Sequence, residues 1–204
     1  MRALRPAVTA LLLCLVAYPG ASEPLISKTY SYFTIGGRTG AELEQQLHSL
    51  GPMMSDTGTR HAGATRIKLG GTVSYESTDG RCRVIDAKVS LETHLTLPRW
   101  KDRKRASREM AIIWEVLSAD IKRHEERHAE IARQYARELE RSLEGLRPER
   151  SCETMQARVD ATSRKIIERH SAEQERFDRA EAASYERRMT RMLGFALEKE
   201  RRGL

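Results

Sequence analysis

The stretch His124-Glu125-Glu126-Arg127-His128 lies near the middle of a segment whose apolar residues recur at helical spacing. This stripe consists of Ile113, Leu117, Ile121, His124, His128, Ile131, Tyr135 and Leu139. The two histidines occupy positions where core residues would otherwise fall, whereas a solvated charged helix would carry its histidines at unrelated angles. The segment therefore predicts a long helix with a polar interruption in its buried face.

The spacing of the two histidines predicts a metal site. Side chains four residues apart on a helix lie on one face, with Cβ atoms roughly 5–6 Å apart, so both imidazoles can reach one ion at about 2.0–2.1 Å. The H-E-x-x-H pattern is typical of zinc hydrolases, in which the glutamate is the general base. We expect His124 and His128 to bind one Zn²⁺ ion and Glu125 to move protons beside it. The alternative is a chance match in a region rich in Glu, Arg and His.

A second helical segment follows Arg147-Pro148 and runs over residues 153–201. Its inner positions are Met155, Val159, Thr162, Ile166, His170, Glu173 and Phe177. If a tight turn near Pro148 folds the two helices antiparallel, the motif histidines face positions 168–174. This places His170 and Glu173 beside the ion, where either could complete its ligands. A polar patch that only solvates a helix face is the other interpretation.

The region before these helices has the two-residue period of strands. Residues 28–36, 65–75 and 82–97 are rich in β-branched and aromatic residues, with Asp79-Gly80 as a hairpin signal between the last two. In the third strand, Ile85, Ala87, Val89, Leu91 and Leu95 are predicted to share one face. A short helix after the first strand has a capping box at Thr39 and Glu42 and an apolar side of Leu43, Leu47 and Leu50.

These patterns predict an α+β fold: a small antiparallel β-sheet with one short helix, followed by a long C-terminal helical hairpin that carries H-E-x-x-H. Residues 1–22 have the layout of a signal peptide, with Arg2 and Arg5 before an apolar run and small residues after it. We expect residues 23–204 to form one metallopeptidase domain, with a sheet part over 28–100 and a helical part over 105–202. The mature chain would be exported to the periplasm or the extracellular space, with no membrane-spanning helix.

Cys82 and Cys152 remain once this leader is removed, and an even pair in an oxidising compartment predicts one disulfide. Two unrelated buried cysteines are the alternative. Zinc binding by these thiols is disfavoured because neither has a Cys-x-x-Cys neighbour.

The formal net charge is +7, to which Arg2 and Arg5 of the leader contribute two charges. A modestly basic exported chain without an aromatic-interleaved basic face does not favour nucleic acid as a partner. The cluster Arg99-Trp100-Lys101-Asp102-Arg103-Lys104-Arg105 is a candidate peripheral contact with anionic envelope surfaces, although a solvated connector is the simpler interpretation.

Several segments occur together in a defined order. They are residues 30–39 with the helix behind them, the strand at Cys82, residues 95–100, Trp114, the H-E-x-x-H helix, Cys152 and residues 174–178. In this combination the chain resembles the bacterial domain-of-unknown-function 922 family, described as predicted secreted zinc-dependent proteases. The resemblance covers most of the mature chain and implies a zincin-like domain with one zinc ion.

The family pattern favours Asp178 of the pair Phe177-Asp178 as the third ligand, whereas helical phase favours Glu173, and His170 is a further candidate. The family usually continues with a Thr-x-His-like segment, but this chain has Arg179-Ala180-Glu181-Ala182-Ala183-Ser184. This departure leaves the third ligand open and raises the prospect of a weak or degenerate site.

Two functions follow from these patterns. The first is a secreted zinc metallopeptidase that hydrolyses a peptide or protein substrate with a metal-activated water. The alternative is an inactive envelope protein that binds or assembles through the same helices, with the apolar stripe after Ser184 as its contact surface. A dinuclear oxidase would need Glu-x-x-His pairs from several helices, and only two helices are long enough.

Overall fold

The computed structural model describes residues 24–54 and 58–203. Its elements are β1 (Leu25–Ile35), α1 (Gly40–Leu50), β2 (Ala64–Thr78), β3 (Arg81–Trp100), a short 3-10 turn (Arg103–Arg105), α2 (Arg108–Glu144) and α3 (Cys152–Arg201). The α+β class is confirmed. Over these two ranges, no helix has the length and apolar character needed to cross a membrane. The predicted leader lies outside the described residues.

The three strands form one sheet in the order β1-β3-β2. The sheet is mixed, so the prediction of an antiparallel sheet was wrong for one pair: β2 is antiparallel to β3, but β1 is parallel to it. Ile35 at the end of β1 pairs with Trp100, and Ala64 at the start of β2 pairs with Thr96, so both lie at the same end of β3. The segment that contains α1 and joins β1 to β2 therefore crosses from one edge of the sheet to the other at that end, and it does not run back along the length of the strands.

The β2–β3 hairpin turns at Asp79 and Gly80, as predicted, and both residues have positive φ angles of 53° and 70°. Beyond the turn, Tyr75 pairs with Val84 whereas Ser74 pairs with Asp86, which leaves Ile85 as an extra residue in a β-bulge. The bulge reverses the side-chain alternation. Ile85 is therefore 54% exposed, which corrects the prediction that it shares a face with the buried Ala87 and Val89.

Helix α1 has the predicted capping box between Thr39 and Glu42. Leu43 and Leu47 are buried in a small core, but Leu50 at the end of the helix is 47% exposed, contrary to the prediction. The core contains Ile35, Leu43, Leu47, Trp100 and Trp114. It joins the end of the sheet to the first turns of α2.

Helix α2 packs along β3 and carries the main core on the side that faces the sheet. The core contains Cys82, Ala87, Val89, Leu91, Ala132, Ala136, Leu139, Leu143, Met155, Val159 and Ile166. Cys82 and Cys152 form a disulfide, as predicted, which ties the start of β3 to the start of α3. This end of the α2–α3 hairpin is termed the closed end below.

The connection between α2 and α3 is not a tight turn. Glu149 forms a two-way backbone pair with Cys82, with N–O distances of 2.8 Å in both directions, so the connection is drawn towards the sheet. His128 contacts Gln174, at the end of the predicted range 168–174, and also Asp178, four residues beyond that range.

Candidate metal centre

Three side chains converge where α2 and α3 lie side by side. Nε2 of His124 is 3.0 Å from Nε2 of His128, and the Oδ1 atom of Asp178 is 3.3 Å from the first nitrogen and 3.0 Å from the second. Ligand atoms held at about 2.0–2.1 Å by one tetrahedral zinc ion are about 3.3 Å apart. Two imidazoles and a carboxylate also match the ligand chemistry of zinc. The donor triangle therefore fits one such ion.

Helix geometry and the register of the hairpin both contribute to this triangle. His124 and His128 are one turn apart on the flank of α2 that faces α3, at the edge of the buried stripe. The ring of Phe177 stacks on His124 at 5.0 Å between ring centroids and meets His128 edge-on at 5.1 Å. These contacts restrict the rotation of both imidazoles, so both Nε2 atoms face the same position between the two helices.

Gln174 determines how His128 presents its ring nitrogens. Its Oε1 atom is 2.6 Å from Nδ1 of His128, and its Nε2 atom donates to the backbone carbonyl of His128 at 3.1 Å. Because an amide oxygen can only accept, Nδ1 carries the proton and Nε2 of His128 keeps its lone pair for a cation. The sequence signal for this role is the spacing of Gln174 one helical turn before Asp178.

The two other candidate ligands lie elsewhere. His170 is buried, and its Nε2 atom is 2.9 Å from the amide nitrogen of Gln174, so it buttresses the residue that orients His128. Glu173 forms a bidentate ion pair with Arg176 one turn along α3. Of the three candidates, the structure brings only Asp178 into the donor triangle with the motif histidines.

Glu125 lies on the side of α2 that faces the sheet and is 5% exposed. The Thr65 hydroxyl donates to its Oε2 atom at 2.8 Å and also contacts its backbone carbonyl at 2.9 Å. A Cβ atom added to Gly63 would lie only 2.8 Å from Oε1, so the backbone before β2 packs directly on this carboxylate. Burial raises the pKa of Glu125, which makes it a stronger base than an exposed glutamate.

The sequence model of a protein family described as "Bacterial protein of unknown function (DUF922)" matches residues 30–185. The chain belongs to this family. No curated protein and no solved structure matches the chain. The DUF922 match contains the whole donor triangle and Glu125, and it ends at Tyr185, seven residues after Asp178.

In this DUF922 chain, a partly buried ion network centred on Asp120 lies one turn from the triangle. Arg188 of α3 donates to both oxygens of Asp120 at 3.0 and 3.1 Å, and its guanidinium is 3.1 Å from Glu181. Arg123 also contacts Asp120 and Glu181. Burial alone would raise the pKa of Asp120, but hydrogen bonds from Arg188 and Arg123 outweigh it and hold the pKa below its ordinary value.

The network reaches the site through Glu181, whose Oε2 atom is 3.8 Å from Nδ1 of His124. Burial, and then the neighbouring His128, lower the pKa of His124, so its neutral form, the form that binds metals, is favoured. Sequence reasoning missed Thr65, Glu181 and Arg188, because their partners are distant along the chain.

The DUF922 site opens into a cleft of about 760 Å³ between the start of β2 and helix α3. His124, Glu125, His128 and Asp178 all line this cleft, and Thr65 lines it on the strand side. A cavity of this size is within the range of about 300–1,000 Å³ typical of ligand sites. The three candidate donors and the buried Glu125 carboxylate therefore share one accessible space.

Proposed function

We propose that this protein is an exported zinc-dependent metallopeptidase, with the ion held by His124, His128 and Asp178. The observation that carries the proposal is the meeting of three zinc-type donors, 3.0–3.3 Å apart, in one cleft with a buried glutamate. When bound there, zinc supplies Lewis-acid polarisation of a carbonyl and acidifies water at neutral pH. The alternative of a chance motif does not account for the third donor on a separate helix.

Glu125 acts as the general base and then as the general acid. Its carboxylate takes the proton from the attacking water and returns it to the amine of the leaving peptide. Thr65 holds Oε2 in place, and the raised pKa from burial strengthens the carboxylate as a proton acceptor. Gln174 and Phe177 act on the imidazoles and keep them oriented during this transfer.

A peptide is the substrate class that the surroundings of the cleft favour. Strand β2 is at one edge of the sheet, so one side of its backbone carries N–H and C=O groups that no described strand pairs. The start of this strand, Ala64, Thr65 and Ile67, lines the cleft. An extended peptide can add to such an edge by backbone hydrogen bonds, which would hold it alongside Glu125.

Export is part of the proposal and is supported by the disulfide between Cys82 and Cys152, because such bonds persist in oxidising compartments. Contact between the basic cluster at residues 99–105 and anionic envelope surfaces stays a prediction. Two of its arginines have partners within the chain, since Arg99 lies over the ring of Tyr32 and Arg103 pairs with Glu115.

Metal analysis tests the proposal most directly. We expect the purified mature protein, reconstituted with zinc and dialysed, to hold one zinc ion per chain by mass spectrometry. Asp178→Asn should weaken zinc binding strongly, whereas Glu173→Gln, a matched removal of one charge on the same helix, should not. Retention of less than one zinc ion per chain by the wild type, or equal binding by the two variants, contradicts the proposed centre.

One observation favours the alternative of an envelope assembly protein. Phe195 near the end of α3 is 71% exposed, and it lies in the segment after Ser184 whose apolar residues can pack against a partner helix. If assembly is the function, Phe195→Ser should abolish concentration-dependent self-association in sedimentation experiments while zinc content stays the same. A wild-type chain that remains monomeric at all concentrations removes support for self-assembly.

A further inference from the structure

A second cavity adjoins the metal cleft. It has a volume of about 580 Å³ and lies between α1 and the first half of α2. Its walls are mainly apolar and are formed by Leu43, Leu47, Ile113, Trp114, Leu117 and Ile121. We refer to this cavity as the apolar groove. The proposed chemistry at the donor triangle makes no use of it.

The apolar groove is continuous with the cleft. Ala62, Ile121 and Tyr185 line both spaces. Ile121 is one helical turn before Glu125, and Ala62 is followed by Gly63, whose backbone packs on the Glu125 carboxylate. The two spaces therefore share Ala62 as a wall residue on the side of the segment that leads into β2. A chain bound beside Glu125 would have a neighbouring side chain within reach of the groove.

The apolar walls of the groove favour an apolar side chain as its occupant. Trp114, Leu43 and Leu47 form the inner walls and are 6%, 2% and 6% exposed, whereas Ile113 and Leu117 are half-buried at the sides. Glu44, His48 and Arg60 also line the groove, and all three side chains are polar. A large apolar side chain gains about 25 cal/mol for each Å² of surface that it removes from water, whereas a carboxylate would be desolvated against apolar walls.

We propose that the apolar groove is a specificity pocket for a large apolar side chain, such as phenylalanine or leucine, next to the bond that is cleaved. This inference rests on the proposed function for the cleavage step, but binding in the groove can be measured without cleavage. It defines the substrate class as peptides with a bulky apolar residue flanking the scissile bond.

The test uses zinc-loaded Glu125→Gln protein, which should bind peptides without cleaving them, and a peptide series that varies only one flanking position. Calorimetry should give at least about 10-fold tighter binding for phenylalanine than for glutamate or alanine, in the range expected of apolar pockets. Ile113→Arg, in the groove, should remove this preference. Ile167→Arg, a matched change at a site on α3 that is 43% exposed, should retain it.

A second groove variant, Gly40→Leu, allows the preference to be tested even if Ile113→Arg does not fold. Gly40 lines the groove, and a Cβ atom there meets nothing within 4 Å, so a side chain can start at this position and Gly40→Leu should narrow the groove. It should weaken binding of the phenylalanine peptide and leave the alanine peptide unchanged. Equal binding of all peptides, or a preference that neither groove variant alters, overturns the inference.

The same series separates this inference from the proposed function. Cleavage of all peptides by the wild type without any apolar preference rejects the groove as a specificity pocket but supports the peptidase. Apolar-selective binding that is lost in Ile113→Arg, together with no cleavage by the zinc-loaded wild type, supports the groove and rejects the peptidase.

Discussion

The two ends of the α2–α3 hairpin differ in what holds the helices together, and each contains one buried glutamate of α2. At the closed end, the Cys82–Cys152 disulfide and the apolar core join the helices to the sheet. Glu140 is buried there, and its Oε2 atom accepts a hydrogen bond from the backbone N–H of Val89 at 2.8 Å. Strand β1 begins opposite Ser90, so it does not reach Val89.

At the other end, termed the open end, polar groups replace the apolar core. His124, His128 and Asp178 meet there, and the Asp120–Arg188 pair joins the helices beyond them. Glu125 accepts a hydrogen bond from a side chain, Thr65, and lines a cleft. Burial of a glutamate on one helix face therefore does not define its role: Glu140 accepts a hydrogen bond from a strand N–H, whereas Glu125 faces a space that a substrate can enter.

The largest expected effect is on catalysis at the open end. Glu125→Gln should lower kcat/KM for peptide hydrolysis by about 10²–10⁴-fold, because the amide cannot take up a proton. Zinc content and thermal stability should change little, since the glutamine oxygen can still accept from Thr65. The control is Glu126→Gln, the neighbouring residue that pairs with Lys28 on the outside of the site. Full activity in Glu125→Gln refutes its role as the base.

The next largest effect is on stability at the closed end. The disulfide joins residues separated by 70 positions, so replacing both Cys82 and Cys152 by serine should lower the free energy of unfolding by about 4 kcal/mol. Urea denaturation under identical buffer conditions measures this change. Any protein that remains folded should still bind one zinc ion, because the disulfide does not contact the donor triangle. Loss of zinc from the folded variant shows that the two ends are coupled.

A smaller effect is expected on zinc affinity. Gln174→Leu removes the acceptor that orients His128, which should raise the zinc Kd by about 10–100-fold, as is usual for partners of metal-binding histidines. Competition with a zinc chelator measures the Kd. Gln156→Leu is the matched control, because Gln156 is on the same helix at the closed end, where it contacts Tyr75. An unchanged Kd for Gln174→Leu shows that His128 is oriented without it.

The ion network at the open end predicts a pH dependence of stability. The pKa of Asp120 is lowered in the folded state, so the carboxylate stabilises the fold fully above the ordinary value of 3.8. This contribution is lost as the pH falls below 3.8 through the lower folded-state pKa. Asp120→Asn should cost about 2 kcal/mol at neutral pH and reduce the dependence below pH 4. Denaturation curves from pH 2 to 7 that are parallel for both proteins exclude this contribution.

The smallest effect should come from the same substitution at the closed end. Glu140→Gln keeps an oxygen for the Val89 N–H, so the free energy of unfolding should change by less than about 1 kcal/mol and kcat/KM should not change. Urea denaturation of Glu140→Gln measures the free energy of unfolding, and the same peptide-hydrolysis assay that is used for Glu125→Gln measures kcat/KM. A large loss of activity in Glu140→Gln removes the distinction between the two glutamates.

Much of the local structure could be predicted from the sequence. Helical periodicity located α2 and α3, and the Thr39 capping box located α1. The Asp79-Gly80 signal located the hairpin, and the two cysteines left after the leader indicated their disulfide. The helices and the hairpin turn depend on residues that are close in sequence, so local patterns predict them. The disulfide could be predicted because only two cysteines follow the leader. The Ile85 bulge was missed because the alternation on either side of it looks continuous in the sequence.

The sequence by itself determined that His124 and His128 lie one turn apart and that Glu125 lies beside them on an adjoining face of the helix, because the pitch of a helix is a local property. Only the tertiary structure decided which residue of α3 joins them. The Glu149–Cys82 backbone pair holds the connection against the sheet, and in the register that α3 takes, Asp178, and not Glu173 or His170, lies opposite the two histidines. The register of one helix against another depends on contacts between distant parts of the chain, and no periodicity within either helix records it.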